Sequence, residues 1–156
     1  MPTESGKLDP GDERKLAVSL FNRTWALLDK PDRSADEDNE MIHTTHASRH
    51  HWGVVGQAVH WARGEWQCSR VYAVLGRPEP AMYHARRCLA LSTEHQLGPF
   101  DVGAAHEAIA RSYQVAGDPA KTAEHVALAR QEAAKITDDE DRAILDGDLA
   151  ELAPPS

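Results

Sequence analysis

The chain repeats itself at a distance of 41 residues, and this repeat constrains its fold more than any other feature. The stretch 69-SRVYAVLGRPEPAMYHARRCLAL-91 aligns without gaps with 110-ARSYQVAGDPAKTAEHVALARQE-132. The matching pairs are Tyr72 with Tyr113, Gly76 with Gly117, Pro78 with Pro119 and His84 with His125. A repeat of this length, with a glycine and a proline near its centre, predicts a pair of antiparallel helices that stacks on a second copy of itself.

The rest of the chain also has a helical pattern. Alanines are many, β-branched residues are few, and glycines and prolines fall at intervals. This pattern predicts an all-α fold of about seven helices and no strand. The predicted helices cover about 10–29, 34–52, 57–75, 78–95, 101–116, 119–136 and 137–152, with 53–56 as a short connector. We expect a flexible N-terminus at 1–8, one domain at 9–152 and a tail at 153–156.

The hairpin residues resemble those of the tetratricopeptide-repeat (TPR) family. In that family a small residue precedes an aromatic residue by three positions, a glycine follows four positions later, and alanines lie on the second helix. The residues that fit are Ser69, Tyr72, Gly76, Ala81 and Cys88 in one copy and Ala110, Tyr113, Gly117 and Ala129 in the next, where Thr122 replaces the first alanine. The resemblance covers about 60–136 well and 10–60 weakly. It implies a TPR-like stack of antiparallel helices.

The resemblance also implies a concave groove lined by the first helix of each pair. The positions that it selects are Arg63, Trp66 and Arg70, Glu107 and Arg111, and Arg23 on the first helix. Arginines present forked donors to carboxylate or phosphate, and a tryptophan supplies a stacking surface. We therefore expect a binding protein that recognises a protein segment or a small anionic ligand. The alternative is that these arginines are solvated helix surface and that Trp66 packs in the core.

The charge distribution agrees with an anionic ligand or an acidic partner. The net charge is −8, but residues 41–100 carry six arginines and only three acids, together with seven of the nine histidines. Residues 1–40 carry ten acids and six bases, and residues 101–156 carry twelve acids and five bases. A cationic centre favours an anionic partner, whereas the acidic ends argue against general nucleic-acid binding.

Other features exclude further classes of protein. No apolar run reaches ten residues, so we predict neither a signal peptide nor a membrane span. The two cysteines, Cys68 and Cys88, do not form a disulfide framework, and we expect a cytoplasmic protein. Both cysteines fall at packing positions of the hairpin, which predicts buried thiols rather than nucleophiles.

The stretch 43-HTTHASRHHW-52 contains four of the nine histidines. On a helix, His43, His46 and His50 share one arc of about 60°. His51 lies off that arc. The opposite side of the helix is a packing stripe formed by Met41, Thr45, Ser48 and Trp52. Neutral imidazole is the commonest protein ligand of transition metals, so the arc predicts a possible site for Zn, Cu, Fe or Ni.

A metal at this arc needs a ligand from elsewhere. The outer two histidines lie about 10 Å apart along the helix, so one ion cannot easily take both. We expect two of the three histidines plus a ligand from another helix or from the second subunit of a homodimer. The additional candidates are His60, His84 and His106, with Glu107 as a carboxylate option. A metal-dependent enzyme or metal-binding protein is thus the alternative function, and a solvated or pH-responsive histidine face is the further interpretation.

Overall fold

A computed structural model describes residues 6–152, and these residues form seven α-helices. The helices are α1 (Pro10–Leu28), α2 (Ala35–Val55), α3 (Ala58–Val74), α4 (Pro78–Glu94), α5 (Pro99–Ala116), α6 (Pro119–Ala133) and α7 (Asp139–Leu152). The predicted all-α fold is confirmed. Residues 1–5 of the predicted N-terminal segment and the predicted tail at 153–156 lie outside the described residues.

The helix starts are encoded locally. A proline occupies the first turn of α1, α4, α5 and α6. Backbone N–H groups in the first turn have no intrahelical acceptor, so the N–H that proline lacks costs no hydrogen bond there. Asp9 caps α1 by accepting a hydrogen bond from the amide of Gly11 at 2.9 Å. Ser34 and Glu37 form a reciprocal capping box at the start of α2. Helices α1, α4 and α6 begin at the predicted residues 10, 78 and 119, whereas α5 begins at Pro99 and not at the predicted residue 101.

The end of α2 differs from the predicted bound. The helix continues through Gly53 to Val55, so the connector to α3 is shorter than the predicted segment 53–56. The amide of Gly56 donates to the carbonyl of Trp52 at 2.7 Å and closes the last turn. A glycine inside a helix costs only about 1 kcal/mol relative to alanine. The buried Trp52 side chain anchors the same turn, which favours continuation of the helix.

Consecutive helices pack as antiparallel hairpins. The pairs α1/α2, α3/α4 and α5/α6 form the hairpins, and α2/α3 and α4/α5 connect each pair to the next. The first helices α1, α3 and α5 also contact one another in order, and α7 packs on α5 and α6 at the end of the stack. This arrangement is compatible with a helical repeat. It places α1, α3, α5 and α7 side by side on one face.

Small residues and left-handed glycines form the two hairpins that repeat in the sequence. Gly76 and Gly117 have φ angles of 72° and 80°, a conformation that costs a residue with a side chain extra energy. The hydroxyl of Ser69 donates to the carbonyl of Ala81 across the α3/α4 interface at 2.8 Å. The other small residues at these interfaces are almost fully buried, namely Cys88, Ala110 and Ala129. Their size lets the helix backbones approach closely.

Helix α7 packs against α5 and α6 and contributes to the core. Leu145, Leu149 and Leu152 are at most 7% exposed and join a cluster with residues of α5 and α6. Burying side chains of this kind contributes about 1.5–3 kcal/mol each. Helix α7 is therefore an integral part of the stack. Among residues 6–152, no helix combines the length and the apolar character that a bilayer crossing requires.

Two glycines give a matched test of this packing. A Cβ atom added to Gly103 on α5 would lie 2.6 Å from Leu145 Cδ2 and 3.2 Å from Glu132 Cβ, whereas one added to Gly147 on α7 would meet nothing within 4 Å. We expect Gly103→Ala to lower the free energy of unfolding by about 1 kcal/mol or more, because overpacking outweighs the gain in helix propensity. Gly147→Ala should raise it by about 0.5–1 kcal/mol. Urea denaturation measures both values, and equal stabilisation by the two variants would contradict the close packing of α5 against α7.

Candidate binding groove and histidine pairs

A cavity of about 380 Å³ opens on the face formed by α1, α3, α5 and α7. Its walls are mostly apolar, and the lining residues are Phe21, Trp25, Arg63, Trp66, Cys88, Phe100, Asp101, Ala104, Ile144, Leu145 and Asp148. Two of the predicted groove residues, Arg63 and Trp66, are therefore in the wall. Sequence reasoning missed the other aromatic walls and the residues of α7. The aromatic side chains of Phe21 and Trp25 indicate a packing or binding role, but the contact of Trp25 with Trp66 joins residues about 40 positions apart and cannot be predicted from local sequence patterns.

Aromatic rings from two helices meet inside this cavity. The rings of Trp25 on α1 and Trp66 on α3 have centroids 5.5 Å apart, and Phe21 packs edge-on against Trp25 at 6.4 Å. Edge-on contacts such as that of Phe21 with Trp25 are among the favourable arrangements for aromatic pairs. The wall is thus preformed by contacts within the protein.

Arg63 lies at the rim of the cavity with half of its side chain exposed. Its Nε and Nη2 atoms donate to the two oxygens of the buried Asp101 at 3.0 and 3.4 Å. The guanidinium also lies over the ring of Phe100, with 5.5 Å to the centroid. A guanidinium has five N–H donors, so this fork leaves further donors on the half-exposed Arg63 side chain.

The carboxylate of Glu107 is fully buried beneath the groove. It accepts hydrogen bonds from Arg111 Nε at 2.7 Å, Arg70 Nη2 at 3.3 Å and Trp66 Nε1 at 3.3 Å. The guanidinium of Arg70 stacks over Trp66 at 4.9 Å. The structure therefore brings together four of the predicted ligand-binding residues, but their polar groups bond to one another and are not free to bind a ligand.

Helix α7 adds two further carboxylates to this network. Asp148 lies 3.4 Å from Arg70, and Glu151 lies 3.1 Å from Arg111. Burial raises the pKa of Asp148, although the neighbouring arginines oppose that shift. Burial also disfavours the charge of Arg111, but Glu107 and the acids of α7 outweigh it and raise the pKa of Arg111.

The predicted groove is consequently not a cationic surface. Its three arginines face four carboxylates, those of Asp101, Glu107, Asp148 and Glu151. An anionic ligand at Arg70 or Arg111 must compete with hydrogen bonds that are already made. The remaining predicted position, Arg23, is not among the lining residues and pairs instead with Glu40 of α2 at 2.8 Å.

The histidines of α2 occupy different environments. His43 and His50 are exposed, whereas His46 is partly buried and its Nε2 lies 2.9 Å from the hydroxyl of Tyr72. The predicted packing stripe is buried, and Thr45 and Ser48 donate hydrogen bonds across helix interfaces. His46 is covered because α2 contacts α3 in addition to α1.

One of the predicted additional ligands comes near the histidine arc. The rings of His46 and His84 have centroids 5.2 Å apart. His60 instead stacks on Trp52 at 4.2 Å, and His106 pairs with another histidine. Across residues 6–152, no group of three or more His, Cys, Asp or Glu side chains converges in a way that would hold a metal ion. A metal at the arc stays a prediction.

The repeat seen in the sequence recurs in the polar contacts between helices. In the α3/α4 hairpin, His84 Nδ1 lies 2.6 Å from Glu65 Oε2. At the equivalent positions of the α5/α6 hairpin, His106 Nδ1 lies 3.2 Å from His125 Nδ1. The matching tyrosines stack on the second-helix histidines in both hairpins, with centroids 5.8 Å apart for Tyr72–His84 and 5.7 Å apart for Tyr113–His125. The equivalent helix contact is thus a glutamate–histidine pair in the α3/α4 hairpin and a histidine–histidine pair in the α5/α6 hairpin.

Burial makes the two cysteines inert, as the sequence predicts. Cys68 is fully buried and Cys88 is 2% exposed. Burial raises the pKa of each thiol to about 12. Since the thiolate is the reactive form of cysteine, neither residue is a nucleophile at neutral pH.

The buried network gives a test with a matched control. We expect Glu107→Ala to lower the free energy of unfolding by about 3–5 kcal/mol, because it leaves two arginines without their shared partner. Glu151→Ala removes a carboxylate from the same Arg111 but from an exposed position, so its effect should stay within about 0.5 kcal/mol. Chemical denaturation measures both. Similar small losses for the two variants would contradict the role of Glu107 as a structural anchor.

The paired histidines predict a pH dependence of stability. Burial lowers the pKa of both His106 and His125. The charge of His125 lowers the pKa of His106 further, whereas Glu132 raises it. Lys121 and Arg86 lower the pKa of His125 further, whereas Glu124 raises it. Below about pH 6.5 the unfolded chain therefore binds more protons than the folded chain, and stability falls as the pH decreases toward the lower folded-state pKa values.

A double variant isolates this contribution. We expect the free energy of unfolding to fall more steeply between pH 7.5 and pH 5.5 in the wild type than in the variant carrying His106→Gln and His125→Gln. Urea denaturation at several pH values measures both slopes. Equal slopes would show that the pair does not couple protonation to folding.

Comparison with known proteins gives no relative to which this chain can be assigned: no family model, curated protein or solved structure matches it.

Proposed function

We propose that this protein is a TPR-like binding domain that holds a segment of a partner protein on the face formed by α1, α3, α5 and α7. The cavity in that face is the observation that carries the proposal. Its volume of about 380 Å³ and its mostly apolar lining fit the usual character of binding pockets. One bulky apolar side chain of the segment enters the cavity and acts as the anchor.

The aromatic wall supports an apolar anchor. Trp25, Trp66 and Phe100 line the cavity together with Ile144, which is 56% exposed. Covering such surface is favourable by about 25 cal/mol for each Å² removed from water. Residues that dominate the affinity of protein interfaces are commonly large side chains seated in pockets of this type.

The charges of the rim suggest what flanks the anchor. Arg63 is half exposed and has donors beyond those that bind Asp101. A carboxylate next to the anchor along the segment pairs with these donors without displacing Asp101. Arg70 and Arg111, by contrast, are about 12–13% exposed and their donors reach Glu107 and the acids of α7.

This difference favours a protein segment over a small anionic ligand. A free anion gains most of its affinity from arginine donors, and here it must break an existing network to reach two of the three arginines. An apolar anchor gains its affinity from the cavity and leaves the network intact. The substitutions Arg70→Glu and Arg111→Glu are consequently poor tests of binding, because they disrupt the packing of Glu107.

A peptide selection tests the proposal on the intact chain. Binders from a random peptide library should share a bulky apolar residue flanked by an acid. We expect Ala104→Phe, which fills the cavity from its wall, to weaken their affinity at least about tenfold, a loss of 1.4 kcal/mol or more. Titrations followed by isothermal calorimetry measure the dissociation constants.

Two further variants make the result specific. Arg63→Ala should weaken peptides that contain the acid more than peptides in which that acid is alanine. Tyr83→Ala on α4 removes a side chain that is 62% exposed and does not line the cavity, and it should leave the affinity unchanged. Failure to select any binder, or full affinity in Ala104→Phe, would overturn the proposal.

A further inference from the structure

We propose that His106 and His125 form a binding site for one divalent transition-metal ion of the Zn²⁺, Ni²⁺ or Cu²⁺ class. The two residues lie on α5 and α6, at positions that the groove does not use. On α5, His106 points at least about 100° round the helix from Asp101, Ala104, Glu107 and Arg111. This inference is independent of the proposed peptide groove.

The distance between the two imidazoles carries the inference. His106 Nδ1 and His125 Nδ1 are 3.2 Å apart. A tetrahedral zinc ion with Zn–N bonds of about 2.0–2.1 Å holds two nitrogen ligands about 3.3 Å apart. Two adjacent positions of a square-planar Cu²⁺ or Ni²⁺ ion lie about 2.9 Å apart by the same arithmetic. The pair is therefore already at ligand spacing across two helices.

The protons of the pair balance without an additional acid or base. In the hydrogen bond between the neutral rings, one Nδ1 carries a hydrogen and the other accepts it. When the ion binds, both Nδ1 atoms donate lone pairs, and the displaced hydrogen moves to Nε2 of the same ring through solvent. Each ring is then a neutral Nε2–H imidazole, which is the form that binds metals.

The surroundings favour the neutral rings and a nearby cation. Burial lowers the pKa of both histidines, which favours the neutral form of the rings. Glu132 and Glu124 lie close enough to act electrostatically on His106 and His125 respectively. Within residues 6–152 no third ligand is in place, so water completes the coordination of the ion.

Neighbouring contacts hold the two imidazoles in place for an ion. The ring of Tyr113 stacks on His125 with centroids 5.7 Å apart and an interplanar angle of 27°, which restricts the rotation of that imidazole. His106 is held on the helix that packs most closely against α6. An ion that binds both rings joins α5 to α6 and stabilises the folded state in proportion to its occupancy.

The preceding hairpin supplies an internal comparison. There the position equivalent to His106 is Glu65, which bonds to His84 at 2.6 Å and also to Arg49 at 3.2 Å. The hairpin contact is thus satisfied by an acid and a histidine, and two imidazoles are not needed for structure. The carboxylate there is already neutralised by an arginine, so the α3/α4 pair is the natural control.

Metal titration of the full chain, purified without an affinity tag, tests the inference. Isothermal calorimetry with ZnCl₂ and with NiCl₂ at pH 7.5 should give one site in the wild type. We expect His106→Gln and His125→Gln each to weaken binding at least about tenfold. Glutamine can still hydrogen-bond to the remaining imidazole, so these variants keep the hairpin contact but lose a ligand. His84→Gln should leave the affinity unchanged.

Two further readouts separate coordination from a structural role. The midpoint of thermal unfolding should rise with added ZnCl₂ in the wild type and in His84→Gln, and it should not rise in His106→Gln. Long-range ¹H–¹⁵N NMR should show the Nδ1 signals of His106 and His125 shifting on titration. Wild-type affinity in His106→Gln and His125→Gln would overturn the inference. Loss of binding only in His46→Gln or His84→Gln would place the ion at the α2/α4 histidines and overturn it equally.

Discussion

The buried carboxylate of Glu107 is the constraint on which the face formed by α1, α3, α5 and α7 depends. It is fully inaccessible to water, and Arg70 from α3 and Arg111 from its own helix satisfy it with charge-assisted hydrogen bonds. The same two arginines reach Asp148 and Glu151 of α7. One charge network therefore ties α3, α5 and α7 together, while small residues join the helices within the α3/α4 and α5/α6 hairpins.

This network decides what the groove can recognise. A row of arginines on a concave helical face suggests an anion site, but arginines that brace the fold are poor donors to a ligand. What remains accessible is the aromatic cavity and the half-exposed guanidinium of Arg63 at its rim. The proposed recognition of an apolar anchor with one flanking acid rests on that division between structural and accessible groups.

The sequence predicted the parts of the structure that local chemistry determines. Alanine content and the glycines and prolines between helices each act within a few residues, so the seven helices and the repeat could be predicted from the sequence, although α5 begins at Pro99 and not at 101. The extension of α2 past Gly53 was missed because a glycine is only a weak helix breaker and the packing of Trp52 outweighs it.

The candidate site was predicted only in part, because its contacts join residues far apart in the chain. The positions of Arg63, Trp66, Arg70, Glu107 and Arg111 were selected together, but their pairing with acids of α5 and α7 depends on tertiary packing. The prediction of an exposed arc of three histidines requires that other helices pack against only one side of α2. In a stack the helix is covered on two sides, so His46 turns toward Tyr72 and His84. The pair His106–His125 has no signature on a single helix.

The indole NMR signals of the four tryptophans test whether an apolar anchor of a partner segment enters the cavity. Trp25 and Trp66 line the cavity, whereas Trp61 donates its indole N–H to the carbonyl of Trp52, away from the cavity. In a ¹H–¹⁵N correlation spectrum, titration with a peptide that carries an apolar anchor and a flanking acid should shift the indole signals of Trp25 and Trp66 and leave those of Trp52 and Trp61 in place. Binding that shifts only the signals of Trp52 and Trp61, or none of the four, would contradict binding of the anchor in this cavity.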